Sequence, residues 1–88
     1  MGNYDDQYKK WTILHQERDQ VVLEYTKKFH TLHTNLGIKD FERHLILKFH
    51  SGLHRYIRTE MDFLNISSLG STYRYAVKIE EKFQQKNK

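Results

Sequence analysis

The chain has 88 residues, of which 38% are hydrophobic, 14% aromatic and 30% charged, with no proline and no cysteine. That length fits one domain over residues 1–88 with no second core, and the apolar content is too high for a disordered segment. The missing cysteines exclude a disulfide framework, a thiol nucleophile and a thiolate-bound zinc, while the net charge of +4 is spread along the chain and not gathered in one block.

Four glycines and no proline leave few built-in turns, and the frequent Leu, Lys, Glu, Gln and Arg favour helix. Met1, Gly2 and Asn3 read as a start or cloning remnant. Tyr4, Tyr8, Trp11 and Leu14 then share one side of a predicted first helix, residues 4–14. The polar stretch 15–18 breaks that period, and Asp19 is expected to cap a second helix. Val22, Tyr25, Phe29, Leu32 and Leu36 repeat at helical spacing in the strongest periodic signal of the chain, which Gly37 should end as a left-handed cap. Asp40 is the expected N-cap of a third helix with an apolar face of Phe41, Leu45 and Phe49, broadened by Ile46 and Leu47 and stopped at Ser51 and Gly52. Leu53, Ile57, Met61 and Leu64 predict a fourth, short helix. After a turn at 65–68, Ser67 or Ser68 should cap a fifth helix with Leu69, Tyr73, Ala76 and Phe83 on one face, fraying from Gln84. No repeat appears and nothing alternates as a strand would, so the expected class is all-α, a compact bundle of about five short helices.

Chemistry is hard to place on this pattern. There is no Gly-rich phosphate loop, no nucleophile elbow and no HExxH, and most acidic residues sit with Lys or Arg at helical spacing, as on a solvated face. His30 and His33 are three apart, and His50 and His54 could converge on an ion with His15 or His44. However, Gly52 interrupts the second pair, and no carboxylate stands at a diagnostic spacing. Partly exposed histidines are the expectation, with no metal, no cofactor and no small-molecule substrate. The longest apolar runs are three residues, far short of the ~20 that span a membrane. Lys and Arg interleaved with aromatics could bind RNA non-specifically, yet most of those aromatics sit at core spacing.

The run Trp11, Leu14, Gln16, followed by Val22, Glu24, Tyr25, Phe29 and Leu32, resembles the Gag segment of gypsy-class long-terminal-repeat retrotransposons. The likeness continues in order through Phe49-x-x-Gly52-Leu53 and through Ser68, Leu69, Ala76 and Glu80, covering residues 11–82. Gln16, Tyr25, Lys28 and Phe29 also resemble the major homology region of retroviral capsid proteins. Gln20 stands where that pattern has Glu, and Lys28 where it has Arg. The resemblance implies a buried hydrogen-bond network of Gln16, Gln20, Tyr25, Lys28 and Phe29 that ties a turn to the following helix, architectural and not catalytic. Lys lacks the forked donor geometry of Arg, and Gln removes a charge partner, so the network is expected to be rewired here.

What the resemblance implies for function is a C-terminal capsid domain, no enzyme, that joins copies of a Gag polyprotein into cytoplasmic virus-like particles around RNA held through the parent polyprotein. A homodimer is the expected unit. By the same analogy the third helix supplies the contact, with Phe41, His44, Leu45, Ile46, Lys48 and Phe49 as its residues and Leu45 and Ile46 near the two-fold axis. Five apolar side chains in nine residues exceed what one core-facing stripe needs, an independent motive for a partner there. Two other readings are a host-domesticated Gag domain that binds a cellular protein or peptide in a groove between helices, and an RNA-binding module.

Overall fold

The computed structural model describes residues 2–86. The helices are α1 (Gly2–Thr12), α2 (Val22–Leu36), α3 (Glu42–Gly52), α4 (Arg55–Met61) and α5 (Leu69–Lys86), with no strand among the described residues. The expected all-α bundle of five short helices is therefore the fold. Its extents are 47 × 27 × 16 Å. The thin dimension matches two helix layers, whose axes pack about 8–10 Å apart. Every helix consequently keeps a face toward solvent.

Helix α5 lies against α2, α3 and α4, whereas α1 packs on α2. Between them sits an aromatic core in which Tyr25, Phe29 and Phe49 are wholly buried. Ring centroids are 4.9 Å apart for Trp11 and Phe29, 5.0 Å for Tyr25 and Phe49, and 4.9 Å for Phe49 and Tyr73. These offset, tilted and edge-on pairs suit the ring quadrupoles. Leu53, Ile57 and Val22 complete the centre, each buried side chain worth roughly 1.5–3 kcal/mol against exposure.

The α2 stripe is inward along nearly its whole length, and Gly37 ends the helix with φ 62°, its N–H bonded to the carbonyls of His33 and Thr34. That left-handed backbone is what glycine supplies without strain. Helix starts differ more from expectation. Asp19 caps nothing: Val21 occupies the N-cap position of α2 with no side-chain cap, and the Glu80 carboxylate, from the far end of the chain, accepts the Val22 N–H at 2.9 Å. Asp40 lies one residue before the Phe41 N-cap and accepts the Phe41 N–H and the His44 ring. At α5 the expectation holds for Ser68, whose hydroxyl accepts the Ser71 N–H, and the Glu42 carboxylate of α3 takes the Leu69 N–H. Two helices thus have their orphan N-terminal donors and positive dipole ends met by carboxylates from other helices.

Three further expectations are corrected. Helix α1 begins at Gly2 and ends at Thr12, so Leu14 lies past it, and Tyr4 and Tyr8 remain about half exposed because α1 has a partner only toward its C-terminal end, where Trp11 is buried. Helix α4 is shorter than its stripe and leaves Leu64 outside. The chain does not fray at Gln84 but stays helical to Lys86, while residues 87 and 88, like Met1, lie outside the described residues.

Candidate interaction surface

The connection between α1 and α2 carries no regular structure, so its polar groups need partners from elsewhere. Gln16 provides them. It is 4% exposed, its N–H donates to the Gly52 carbonyl at 2.7 Å, its side-chain amide donates to the Gln20 carbonyl at 2.7 Å, and its Oε1 accepts the His54 N–H at 2.9 Å. Gln20 closes the turn through its own Oε1, which accepts the Glu17 N–H at 3.0 Å. The His54 ring reaches back to the Glu17 carbonyl at 2.7 Å. One loop is thereby clamped onto the bend between α3 and α4.

Tyr25 works on the same bend from beneath. The Leu53 N–H turns to the His50 carbonyl at the end of α3, and the Phe49 carbonyl accepts the Tyr25 hydroxyl at 3.0 Å. Burial pushes the Tyr25 phenol well above its usual range, with the nearby Tyr73 adding to the shift, so it serves as a neutral donor. Gly52 makes this approach possible. A Cβ there would meet the Tyr25 hydroxyl and ring, and would sit 3.1 Å from the Leu14 carbonyl. Of the five residues named for this network, Gln16, Gln20 and Tyr25 form it and Phe29 packs behind it. Lys28 does not join: it is exposed and lines a groove instead. Sequence reasoning missed the parts played by Gly52, which lies within the quoted Phe49-x-x-Gly52-Leu53 step, by His54, which follows it, and by Glu17.

The self-association residues of α3 divide between two faces. Leu45 (7% exposed) and Phe49 (0%) belong to the core, which corrects the placing of Leu45 at a two-fold axis: a side chain already surrounded by its own fold has no surface to offer. Outward lie Phe41, 74% exposed, and Leu47, 56% exposed, with His44 between them one turn apart. The Phe41 ring meets His44 edge-on at 5.4 Å, and the Asp40 carboxyl, which accepts the His44 and Phe41 hydrogen bonds, is held below its usual range by them. Ile46 is half-buried. The Lys48 ammonium lies 4.8 Å from the centre of the Trp11 ring, and burial lowers its pKa. It covers α1 and is not a free cation on the α3 face.

Two other apolar features reach the surface. The turn after α4 exposes Phe63 at 83% and Leu64 at 39%, directly after Asp62, which pairs with His50 at 3.3 Å. Where α1, α2 and their connection meet runs an open groove of about 530 Å³, floored by Ile13, Leu14 and Leu32 and edged by Lys10, Lys27 and Lys28. Glu17 is its one acidic lining residue.

Five of the six histidines have separate duties, and His30 is exposed on α2. His15 bonds the Ile13 carbonyl, His33 stacks near Trp11, His44 and His50 face Asp40 and Asp62, and His54 reaches Glu17. Among the described residues no three His, Asp or Glu side chains converge as a metal would require, and no helix is long and apolar enough to cross a membrane. No family model matches the chain, and no curated protein matches it.

Proposed function

We propose that this chain is a structural self-association domain of the kind that joins retrotransposon Gag polyproteins into a capsid shell, and that its work is to hold copies of itself together and not to catalyse a reaction. The observation that carries the reading is the two-sided helix α3. Having committed Leu45 and Phe49 to the core, it still holds Phe41 and Leu47 in water. Exposed apolar side chains at the N-cap and in the middle of one helix are material for a symmetric contact, in which the same patch meets itself across a two-fold axis. The clamp of Gln16, Tyr25 and the α3–α4 bend supports the same reading. It stiffens the base of α3 in residues whose pattern resembles the major homology region, and a rigid helix presents a contact at lower entropic cost than a mobile one.

On this reading the dimer is centred on Phe41, His44 and Leu47, with Ile46 at its margin. Sedimentation of wild type and of a Phe41→Asp, Leu47→Asp variant from micromolar to millimolar protein tests it. Wild type should pass from monomer to dimer, and the variant should associate roughly a hundredfold more weakly, since each tenfold corresponds to about 1.4 kcal/mol. Both positions are exposed, so the helical circular dichroism should not change. A wild type that stays monomeric throughout overturns the proposal.

A further inference from the structure

We infer that the chain carries a second contact between copies, distinct from the α3 face. In it the Asp62-Phe63-Leu64 turn of one copy enters the groove between α1 and α2 of another. The inference rests on the self-association reading above, which it extends from a dimer to a growing assembly.

The two surfaces match in character. Phe63, at 83% exposure, is the most exposed large apolar side chain among the described residues, and Leu64 follows it. An aromatic side chain left in water at the tip of a turn is the shape of an anchor that fills a pocket on a partner. The groove offers what such an anchor needs: a floor of Ile13, itself 71% exposed, with Leu14 and Leu32. Its volume of about 530 Å³ leaves room for more than one side chain.

Charge selects the occupant. Two chains of net charge +4 repel at long range, so a stable contact has to bring opposite charges together locally. Lys10, Lys27 and Lys28 edge the groove beside a single acidic side chain, Glu17, and among the described residues none of the three makes an ion pair. The Asp62 side chain, 68% exposed, precedes Phe63 and is tied among the described residues to His50 at 3.3 Å. A turn with a carboxylate followed by Phe and Leu therefore suits an apolar groove with a lysine rim, and both are parts of this chain. Because turn and groove are different patches, the contact is head-to-tail, and repeated head-to-tail contacts extend an assembly where a two-fold contact closes it. Phe41, the N-cap of α3, and His50, to which the turn's Asp62 is tied, are nine residues apart, about 13 Å along a helix rising 1.5 Å per residue, so the two contacts can engage different neighbours.

Sedimentation velocity of the full chain and three samples tests this: Phe63→Asp, the double variant Lys27→Glu, Lys28→Glu, and an equimolar mixture of the two. All the altered positions are exposed, and unchanged thermal melting checks the fold. Wild type should form species larger than a dimer, more weakly as salt rises, while each variant alone should stop at the α3 dimer, its second contact weakened roughly tenfold or more. The mixture should recover one further contact, since each partner retains the half the other lacks. If wild type stops at a dimer, or its larger species survive in both variants, this inference falls and the α3 reading stands. Larger species abolished by the lysine reversals but indifferent to Phe63 assign the groove to another segment and overturn the pairing. A strictly monomeric wild type overturns both.

Discussion

Removing the Gln16 side chain is the most direct test of the clamp that joins the α1–α2 loop to the α3–α4 bend. Gln16→Ala deletes a donor to the Gln20 carbonyl and an acceptor for the His54 N–H, bonds of 2.7 and 2.9 Å. An unsatisfied buried polar group costs about 1–3 kcal/mol, and because Gln20 and His54 are only half-buried each should fall near the lower end, roughly 2–3 kcal/mol together. For a domain of this length that corresponds to a melting temperature lower by about 10–20 °C. Thermal and urea unfolding followed by circular dichroism measure both quantities. Gln16→Glu adds a sign. It keeps the acceptor for His54 but sets a second carboxylate oxygen against the Gln20 carbonyl, so the folded state favours the protonated acid and raises its pKa above an unfolded value near ~4.3. Stability should be fullest below that unfolded value and should be lost as pH rises through the raised folded one. An alanine variant within about 0.5 kcal/mol of wild type, or a glutamate variant no more pH-dependent than wild type, refutes the assignment of the clamp to these two bonds.

Two other perturbations follow from the packing. Glu80→Ala removes the carboxylate that accepts the Val22 N–H at 2.9 Å and should cost about 2 kcal/mol, whereas Glu80→Gln, which keeps an acceptor, should cost less than half of that; amide exchange at Val22 should accelerate in the first and change little in the second. Gly52→Ala drives a methyl group into the Tyr25 hydroxyl and should cost about 1–3 kcal/mol by overpacking. Part of that loss should disappear in a Tyr25→Phe background, and equal penalties in the two backgrounds would show that the hydroxyl is not the obstruction.

Much of the fold is legible because its signal is local. The spacing of Val22, Tyr25, Phe29, Leu32 and Leu36 is a property of one helix, and so is the glycine that ends it. Periodicity fails where a second element decides the outcome. Tyr4, Tyr8 and Trp11 share a side of α1, yet only Trp11 has a helix opposite it, and the apolar run on α3 could not say that Leu45 and Phe49 turn inward while Phe41 and Leu47 turn outward. Asp19 was a reasonable cap of α2 by residue type, but the donor at Val22 is met by Glu80, 58 residues away, and at the start of α5 the Leu69 donor is met by Glu42, 27 residues away. No local rule reaches that far. In the clamp, the family resemblance pointed to Gln16 and Tyr25 and also to Lys28, and Lys28 proved to be a surface cation that lines a groove and lies outside the network.

The bond from Glu80 to the first amide of α2 bears on how the chain is made as well as on how it stands. A ribosome releases residues from the N-terminus onward, and α2 is complete long before Glu80 is synthesised. Until then the start of α2 has an unmet donor, and its aromatic face lacks the helix that covers it. The packing of α1 on α2 can form before then, but the complete core waits for α5. A chain that interrupts its own synthesis before residue 80 should be left with exposed aromatics, easily degraded, and copies able to meet as folded units should be those whose final helix has been made.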